Sequence, residues 1–174
     1  MTTSGSGSAG PAGDTARLAA QVAERAGRLG WTIGTAESLT SGSVAAALGA
    51  APSASQWFRG SVVAYASEVK FDLLDVPEGP VVSAGAALTM AKGAAARLSA
   101  DLVVAVTGAG GPEPQDGQPA GTVWFGLVWP HGKSVEERFF QGGPEQVVAA
   151  ATTHALQLVC RALRPPRDER PAPT

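Results

Sequence analysis

The sequence predicts a layered α/β domain built around a mixed β-sheet. Segments with apolar residues every three or four positions, typical of amphipathic helices, alternate with short apolar runs that suit strands. Two of the later runs are separated by a short turn and predict a β-hairpin, so the sheet is not purely parallel. The length of 174 residues fits one domain of this kind.

Both ends of the chain differ in composition from the rest. Residues 1–13 are rich in Gly, Ser and Ala and bury too little apolar surface to become ordered. Residues 164–174 combine four prolines with charges of both signs. We therefore expect disordered tails at both ends and a folded domain over residues 14–163.

The first half of this domain begins with a helix. Asp14 and Thr15 are suited to cap it, and Gly30 supplies its stop. A strand over residues 31–36 then leads through a polar turn into a helix over residues 44–48. The next elements are predicted as a strand over residues 61–66 and a short helix over residues 67–74.

The second half carries clearer boundaries. Ser83 can cap a helix over residues 84–98, and the apolar run 101–106 suits a strand that is buried on both faces. Pro144 fits the first position of a final helix. The hairpin strands are predicted over residues 122–129 and 134–140.

Composition excludes several classes of function. The 13 basic and 15 acidic residues give a net charge of −2, which argues against nucleic acid or an anionic membrane as partner. No apolar run approaches the roughly 18 residues that span a bilayer, and no leader peptide stands at the N-terminus. We expect a soluble, cytoplasmic protein.

The residues that most often carry nucleophilic or metal chemistry are scarce. Cys160 is the only cysteine, which excludes a disulfide framework, and its helical context favours a buried apolar role. His131 falls in a predicted turn, and His154 lies on an amphipathic helix, where packing or hydrogen bonding is the expected role. The chain contains no asparagine. A histidine base is therefore not expected.

Two loops follow predicted strands and could bind a ligand. Residues 37–42 carry three hydroxyls and a glycine between a strand and a helix, which suits an oxyanion or a nucleophile. Residues 107–112 are rich in glycine, which lets the backbone approach a ligand closely. Neither loop matches a Walker A or dinucleotide-binding motif. The alternative is that both are turns selected for backbone geometry.

Lys70 is a candidate base because a desolvated lysine loses its proton more readily and can activate a serine. It follows Tyr65, the only tyrosine, by five residues. The alternative is a solvated lysine paired with nearby acids. Ser67 and Lys70 also form the Ser-x-x-Lys pattern of penicillin-binding proteins and class A β-lactamases, but the companion Ser-Asp-Asn and Lys-Thr-Gly motifs are missing.

Several motifs stand in a fixed order along the chain: Thr35-Ala36-Glu37-Ser38-Leu39-Thr40-Ser41-Gly42, then Trp57-Phe58-Arg59-Gly60 with Tyr65-x-x-x-x-Lys70, then Val82-Ser83 with Met90-Ala91-Lys92-Gly93, then Val106-Thr107-Gly108 to Pro112 with Gly121-Thr122-Val123. In this order and spacing they resemble the CinA C-terminal domain, the nicotinamide-nucleotide amidohydrolase family of bacteria. The similarity covers residues 18–163.

The resemblance implies a three-layer α/β/α sandwich with a mixed, mostly parallel sheet of about five strands. It also implies hydrolysis of the carboxamide of nicotinamide mononucleotide, a pyridine nucleotide, by a homo-oligomer that needs no metal or organic cofactor. Ser38 matches the family's nucleophile, Lys70 its base and Tyr65 its tyrosine, and N–H groups near residues 40–42 or Gly108 would hold the oxyanion. The residues expected to contact substrate are Glu37, Thr40, Ser41, Gly42, Thr107 and Gly108.

This sequence departs from the family pattern at the last helix, where two arginines are usual and Pro144 and Val148 stand instead. A guanidinium there could bind substrate phosphate in a bidentate manner, a role that Arg59, Lys92 or a neighbouring subunit would have to replace. The alternative function is a non-catalytic or altered-specificity protein that binds a nucleotide or a partner. The separate nucleotide-pyrophosphatase domain of longer CinA proteins is not among these residues, so that activity is not expected.

Overall fold

The computed structural model describes residues 11–164, which fold around a five-stranded mixed sheet. The strands are β1 (Ile33–Glu37), β2 (Phe58–Val63), β3 (Leu102–Gly108), β4 (Thr122–Trp129) and β5 (Gly132–Phe139). Their order across the sheet is β2-β1-β3-β4-β5. β1 pairs in parallel with β2 and β3, and β4 is antiparallel to β3 and β5. Four strands therefore run in one direction, which confirms the mixed, mostly parallel sheet.

Helices cover both faces of the sheet and complete three layers. The helices are α1 (Pro11–Leu29), α2 (Ser43–Gly49), α3 (Ala54–Trp57), α4 (Ser67–Leu74), α5 (Ala84–Leu98) and α6 (Pro144–Ala162). One apolar core lies between the sheet and α1, α2 and α6, and a second lies between the sheet and α4 and α5. Successive side chains of β3 alternate between the two cores, as Val104 and Val103 do. The expected buried strand and α/β/α sandwich are thus confirmed.

The predicted and observed boundaries of the elements agree best where a local sequence signal defines them. The predicted bounds of α4, α5 and β4 are confirmed, and the Ser83 hydroxyl caps α5 by accepting the Ala86 N–H at 3.2 Å. β2 lies three residues earlier than predicted because its pairing with β1 fixes its position. The short α3 was not predicted.

The predicted N-terminal tail is too long by three residues. α1 spans Pro11–Leu29, so residues 11–13 of the predicted tail are helical. The rest of that predicted tail, and the C-terminal one from residue 165, lie outside the described residues. Among the helices of residues 11–164, none is long and apolar enough to cross a membrane.

Cys160 and His154 both lie in the packed interior of α6. Cys160 is buried, as predicted. His154 packs edge-on against Phe125, and its Nε2 lies 3.0 Å from a carboxylate oxygen of Glu136. Burial lowers the pKa of His154 despite that carboxylate. The prediction of a packed, hydrogen-bonded histidine is confirmed.

Candidate active site

Ser38 lies at the carboxyl end of β1, between two parallel neighbours. Its backbone N–H donates to the Val106 carbonyl of β3 at 3.0 Å. On the other side, the Glu37 carbonyl accepts the Ala64 N–H, just after β2, at 2.8 Å. The side chain of Ser38 has no hydrogen bond to another residue within the described range. Ser38 therefore stands at the edge where open α/β sheets bind ligands, with its hydroxyl uncommitted.

Lys70 is directed towards the same edge from α4. Its ammonium donates to the Tyr65 carbonyl at 3.0 Å, and Tyr65 follows the residue that is bonded to Glu37. Lys70 is only 1% exposed, which rules out the solvated-lysine alternative. Within residues 11–164, its side chain has no direct hydrogen bond to Ser38 and no ion pair with a carboxylate.

The burial of Lys70 changes its acid–base behaviour. Desolvation lowers the pKa of its ammonium from the usual 10.5, while the charges of Asp116 and Glu68 raise it in part. Burial is the larger effect, so Lys70 releases its proton more readily than a surface lysine. A lysine of this kind can act as a general base for a neighbouring hydroxyl.

Thr107 is the third residue of the site. It is buried near the end of β3, and its hydroxyl donates to the Val81 carbonyl at 2.8 Å. Because that proton is committed, the Thr107 oxygen can only accept a hydrogen bond from a ligand. The ends of β1, β2 and β3 thus bring Ser38, Lys70 and Thr107 to one edge of the sheet.

The turn after Ser38 offers few free donors. The N–H groups of Ser41 and Gly42, both in the segment predicted to bind an oxyanion, are hydrogen-bonded within the turn. The N–H groups of Leu39 and Thr40 have no partner among residues 11–164, and neither has the buried Thr40 hydroxyl. These three groups directly follow the serine and are the candidates to stabilise an oxyanion.

Gly108 has a packing role that the sequence did not predict. A Cβ at this position would lie 2.6 Å from the Thr122 carbonyl oxygen, so only glycine lets β3 approach β4 this closely. Strand packing therefore requires glycine at this position. The loop beyond it passes over the turn after Ser38, where a Cβ at Gly110 would contact Leu39 at 3.5 Å.

Two further predicted residues are placed differently from expectation. The Tyr65 side chain is 69% exposed, and the contact of this residue with Lys70 is made by its carbonyl. Arg59 is the second residue of β2, at the opposite end of the strand from the site, where its charge acts on Asp101. Arg59 therefore does not replace a phosphate-binding arginine at this site.

Pro144 and Val148, which stand where the family has arginines, lie beside the turn that follows Ser38. Val148 lines a groove of about 500 Å³ between α1, α2 and α6 together with Ser43, the first residue of α2. Pro144 lies near the glycine loop, 4.0 Å from where a Cβ of Gly111 would stand. Within residues 11–164, no group of three or more His, Cys, Asp or Glu side chains is placed to hold a metal ion.

The domain matches one known protein family over almost its whole length. The family model of the CinA C-terminal domain matches residues 15–163. The chain belongs to the CinA C-terminal domain family. A CinA-like protein of Frankia casuarinae is 40% identical over 137 residues, covering 76% of this chain and 32% of that protein. The CinA domain described here spans 29 to 38% of the length of the curated relatives it matches.

Solved structures of CinA proteins share the fold. The competence damage-inducible protein A of Klebsiella pneumoniae superposes with a TM-score of 0.82 at 36% identity, covering 86% of this chain and 96% of that one. A CinA superfamily protein of Escherichia coli superposes with a TM-score of 0.81 at 34% identity, covering 84% and 90% respectively. The names of these proteins refer to competence and damage and describe no reaction.

Glu37 of this CinA domain has a different role from the predicted contact with substrate. Its side chain is fully buried, and its carboxylate accepts the N–H groups of Gly42, Val44 and Ala45 at 2.8 to 3.2 Å. These are donors at the start of α2 that would otherwise lack partners. Glu37 therefore holds the turn that carries Ser38.

We expect the substitution Glu37→Ala to destabilise the fold by about 3 kcal/mol, because it leaves several backbone donors without their charged acceptor. Denaturant unfolding measures the change. The control is Glu24→Ala, which removes an exposed carboxylate from a surface ion pair with Arg28 and should cost less than about 1 kcal/mol. Equal losses in the two variants would contradict the structural role of Glu37.

Asp116 lies beside the site and was not among the residues that the sequence predicts there. Its carboxylate accepts the N–H groups of Val81 and Val82, and its charge acts on Lys70. In the sequence it stands before Gly117, and Asp-Gly is an ordinary turn signal. No local pattern distinguishes it from a turn residue, and only the folded chain brings it to the site.

Proposed function

We propose that this CinA domain is an amidohydrolase that converts nicotinamide mononucleotide to nicotinate mononucleotide and ammonia. The observation that carries the proposal is Lys70, a fully buried lysine whose pKa is lowered by desolvation, at the same sheet edge as the uncommitted hydroxyl of Ser38. A lysine buried without a carboxylate partner is costly to the fold, so a functional reason for it is expected. Family membership agrees with the proposal.

In the proposed reaction, Lys70 accepts the Ser38 hydroxyl proton as the Ser38 oxygen attacks the carboxamide carbon. The C–N bond then breaks, and the Lys70 ammonium returns its proton to the departing nitrogen, which leaves as ammonia. Water hydrolyses the acyl ester with Lys70 again accepting a proton. Release of the carboxylate restores the Ser38 hydroxyl. The two side chains are not directly hydrogen-bonded in the free protein, and a water or the substrate would complete the link.

Two properties of the surroundings favour this chemistry. The free N–H groups of Leu39 and Thr40 follow the nucleophile and could bind the carbonyl oxygen as it becomes negative. The pyridinium charge of the substrate would disfavour a second positive charge on Lys70, so binding itself would promote the neutral base. The exposed ring of Tyr65, beside Lys70 in the chain, could cover the pyridine ring.

A second candidate is a protein that binds a nucleotide or a protein partner without turnover. The observation that favours it is Pro144 and Val148, which stand where the resemblance leads one to expect arginines. The absence of those guanidinium groups weakens the case for phosphate binding, while Ser38 and Lys70 remain.

The deciding experiment incubates the pure protein with nicotinamide mononucleotide, nicotinamide riboside and NAD and measures ammonia. We expect ammonia from the mononucleotide. We also expect kcat/KM for the nucleotide to exceed that for the riboside by less than about tenfold, because one charged hydrogen bond contributes roughly 1.5 to 3 kcal/mol and here it is missing. No ammonia from any substrate would favour the binding protein.

The matched variant is Pro144→Arg, which places a guanidinium at the start of α6. We expect it to raise the preference for the nucleotide over the riboside by about tenfold or more. A wild-type preference of about a hundredfold, equivalent to about 2.7 kcal/mol, would show that another cation binds the phosphate.

A further inference from the structure

One side chain of the loop between β3 and β4, residues 109–121, binds the segment that precedes α5. Asp116 Oδ2 accepts the N–H of Val81 at 2.6 Å and that of Val82 at 2.9 Å. Both valines are buried, and they precede α5. A carboxylate that accepts two adjacent N–H groups fixes both the loop and the segment it binds.

The same segment is also tied to β3. The Val81 carbonyl accepts the Thr107 hydroxyl at 2.8 Å, so Val81 is bonded on one side to the loop and on the other to the buried threonine. Asp116, Val81 and Thr107 thus form one connected unit. A substitution of Asp116 would therefore affect β3 through these hydrogen bonds, although Asp116 makes no hydrogen bond to Ser38.

The charge of Asp116 also acts on Lys70. Within the described residues 11–164, the charges of Asp116 in the loop and Glu68 on α4 favour the protonated lysine, against the desolvation that disfavours it. Glu68 has no side-chain hydrogen bond to Val81 or Val82. Only Asp116 therefore combines a charge effect on the lysine with a structural connection to the loop.

We propose that Asp116 is a positioning residue that anchors residues 109–121 to the Val81 segment and thereby fixes where its own negative charge stands relative to Lys70. Burial has the larger effect on Lys70, and the anchored charge of Asp116 offsets it in part. With Asp116 in place, the Lys70 ammonium is therefore retained more readily than it would be without that charge. The catalytic consequence rests on the proposed function, whereas the control of Lys70 protonation does not.

The test is the substitution Asp116→Asn, which keeps an oxygen that can accept a hydrogen bond and removes the charge. The chain has three lysines, so ¹³C-labelled lysine side chains give a simple NMR titration of Lys70, Lys92 and Lys133. We expect the pKa of Lys70 to fall by a few tenths to about one unit, with the other two unchanged. The acid limb of the pH profile of kcat/KM should move to lower pH by the same amount.

The control is Glu68→Gln, which removes the other charge and leaves the anchor in place. It should also lower the pKa of Lys70, but hydrogen exchange at the Val81 and Val82 amides should stay at the wild-type rate. In Asp116→Asn and Asp116→Ala those two amides should exchange severalfold faster.

An unchanged Lys70 titration in Asp116→Asn would overturn the proposal, as would unchanged exchange at both valine amides in Asp116→Ala. If the wild type releases no ammonia, the proposed function fails, and the Lys70 titration still decides the role of Asp116. Conversely, an active wild type with an unmoved titration rejects only the role of Asp116.

Discussion

Ser38→Ala should lower kcat for deamidation by about 10⁴-fold or more, because removal of a covalent nucleophile leaves only binding and oxyanion stabilisation. The fold should be unaffected. The Ser38 hydroxyl makes no hydrogen bond to another side chain or to the backbone of residues 11–164, so its loss leaves no buried partner unsatisfied. Ammonia release measures activity, and thermal unfolding measures stability.

Ser67→Ala is the matched control. Ser67 begins α4 and forms the Ser-x-x-Lys pattern with Lys70. Ser38→Ala and Ser67→Ala therefore each remove the hydroxyl of one candidate nucleophile. We expect Ser67→Ala to retain most activity. An inactive Ser67→Ala beside an active Ser38→Ala would assign the nucleophile to Ser67 and reject the proposed dyad.

Lys70→Met should abolish deamidation and at the same time stabilise the protein. Methionine has a similar length and fills the buried space without a charge, so no group remains to accept the Ser38 proton. We expect kcat to fall by about 10³-fold or more. Lys70→Arg should be equally inactive because a guanidinium stays protonated.

The sign of the stability change follows from the lowered pKa of Lys70. In the unfolded chain this lysine holds its proton up to about its usual pKa of 10.5, whereas desolvation makes the folded protein hold it less tightly. The wild type therefore loses stability as the pH falls from 10.5 to the pKa that Lys70 has in the folded protein. Lys70→Met removes this loss, so its advantage in unfolding free energy should grow over that range and then level off.

Lys92→Met provides the control for the stability measurement. Lys92 is exposed on α5, and its substitution should not change the pH dependence of unfolding. A Lys70→Met protein that is less stable than the wild type at neutral pH would contradict the account of a desolvated lysine.

Local signals in the sequence were sufficient for most elements. The Ser83 cap and the apolar repeat behind it predicted α5 at its observed bounds, because capping and periodicity act over a few neighbouring residues. The near-continuous apolar run over residues 101–106 predicted β3, since only a strand covered on both faces excludes polar residues from both. The shift of β2 has the opposite cause, because its position depends on pairing with β1, 25 residues away at Ile33↔Phe58.

The sequence by itself determined the α/β layers and, through the family's motifs, the α/β/α sandwich. It also placed Ser38 and Thr107 at the ends of strands and Lys70 on the helix that follows β2. These positions meet because parallel strands bring their carboxyl ends to one edge. Only the tertiary structure decided what each side chain does there. Burial lowers the pKa of Lys70, the N–H groups at the start of α2 bind the Glu37 carboxylate, and the folding of the loop brings Asp116 to the site. Desolvation and long-range hydrogen bonds depend on segments far apart in the chain, and no local pattern encodes them.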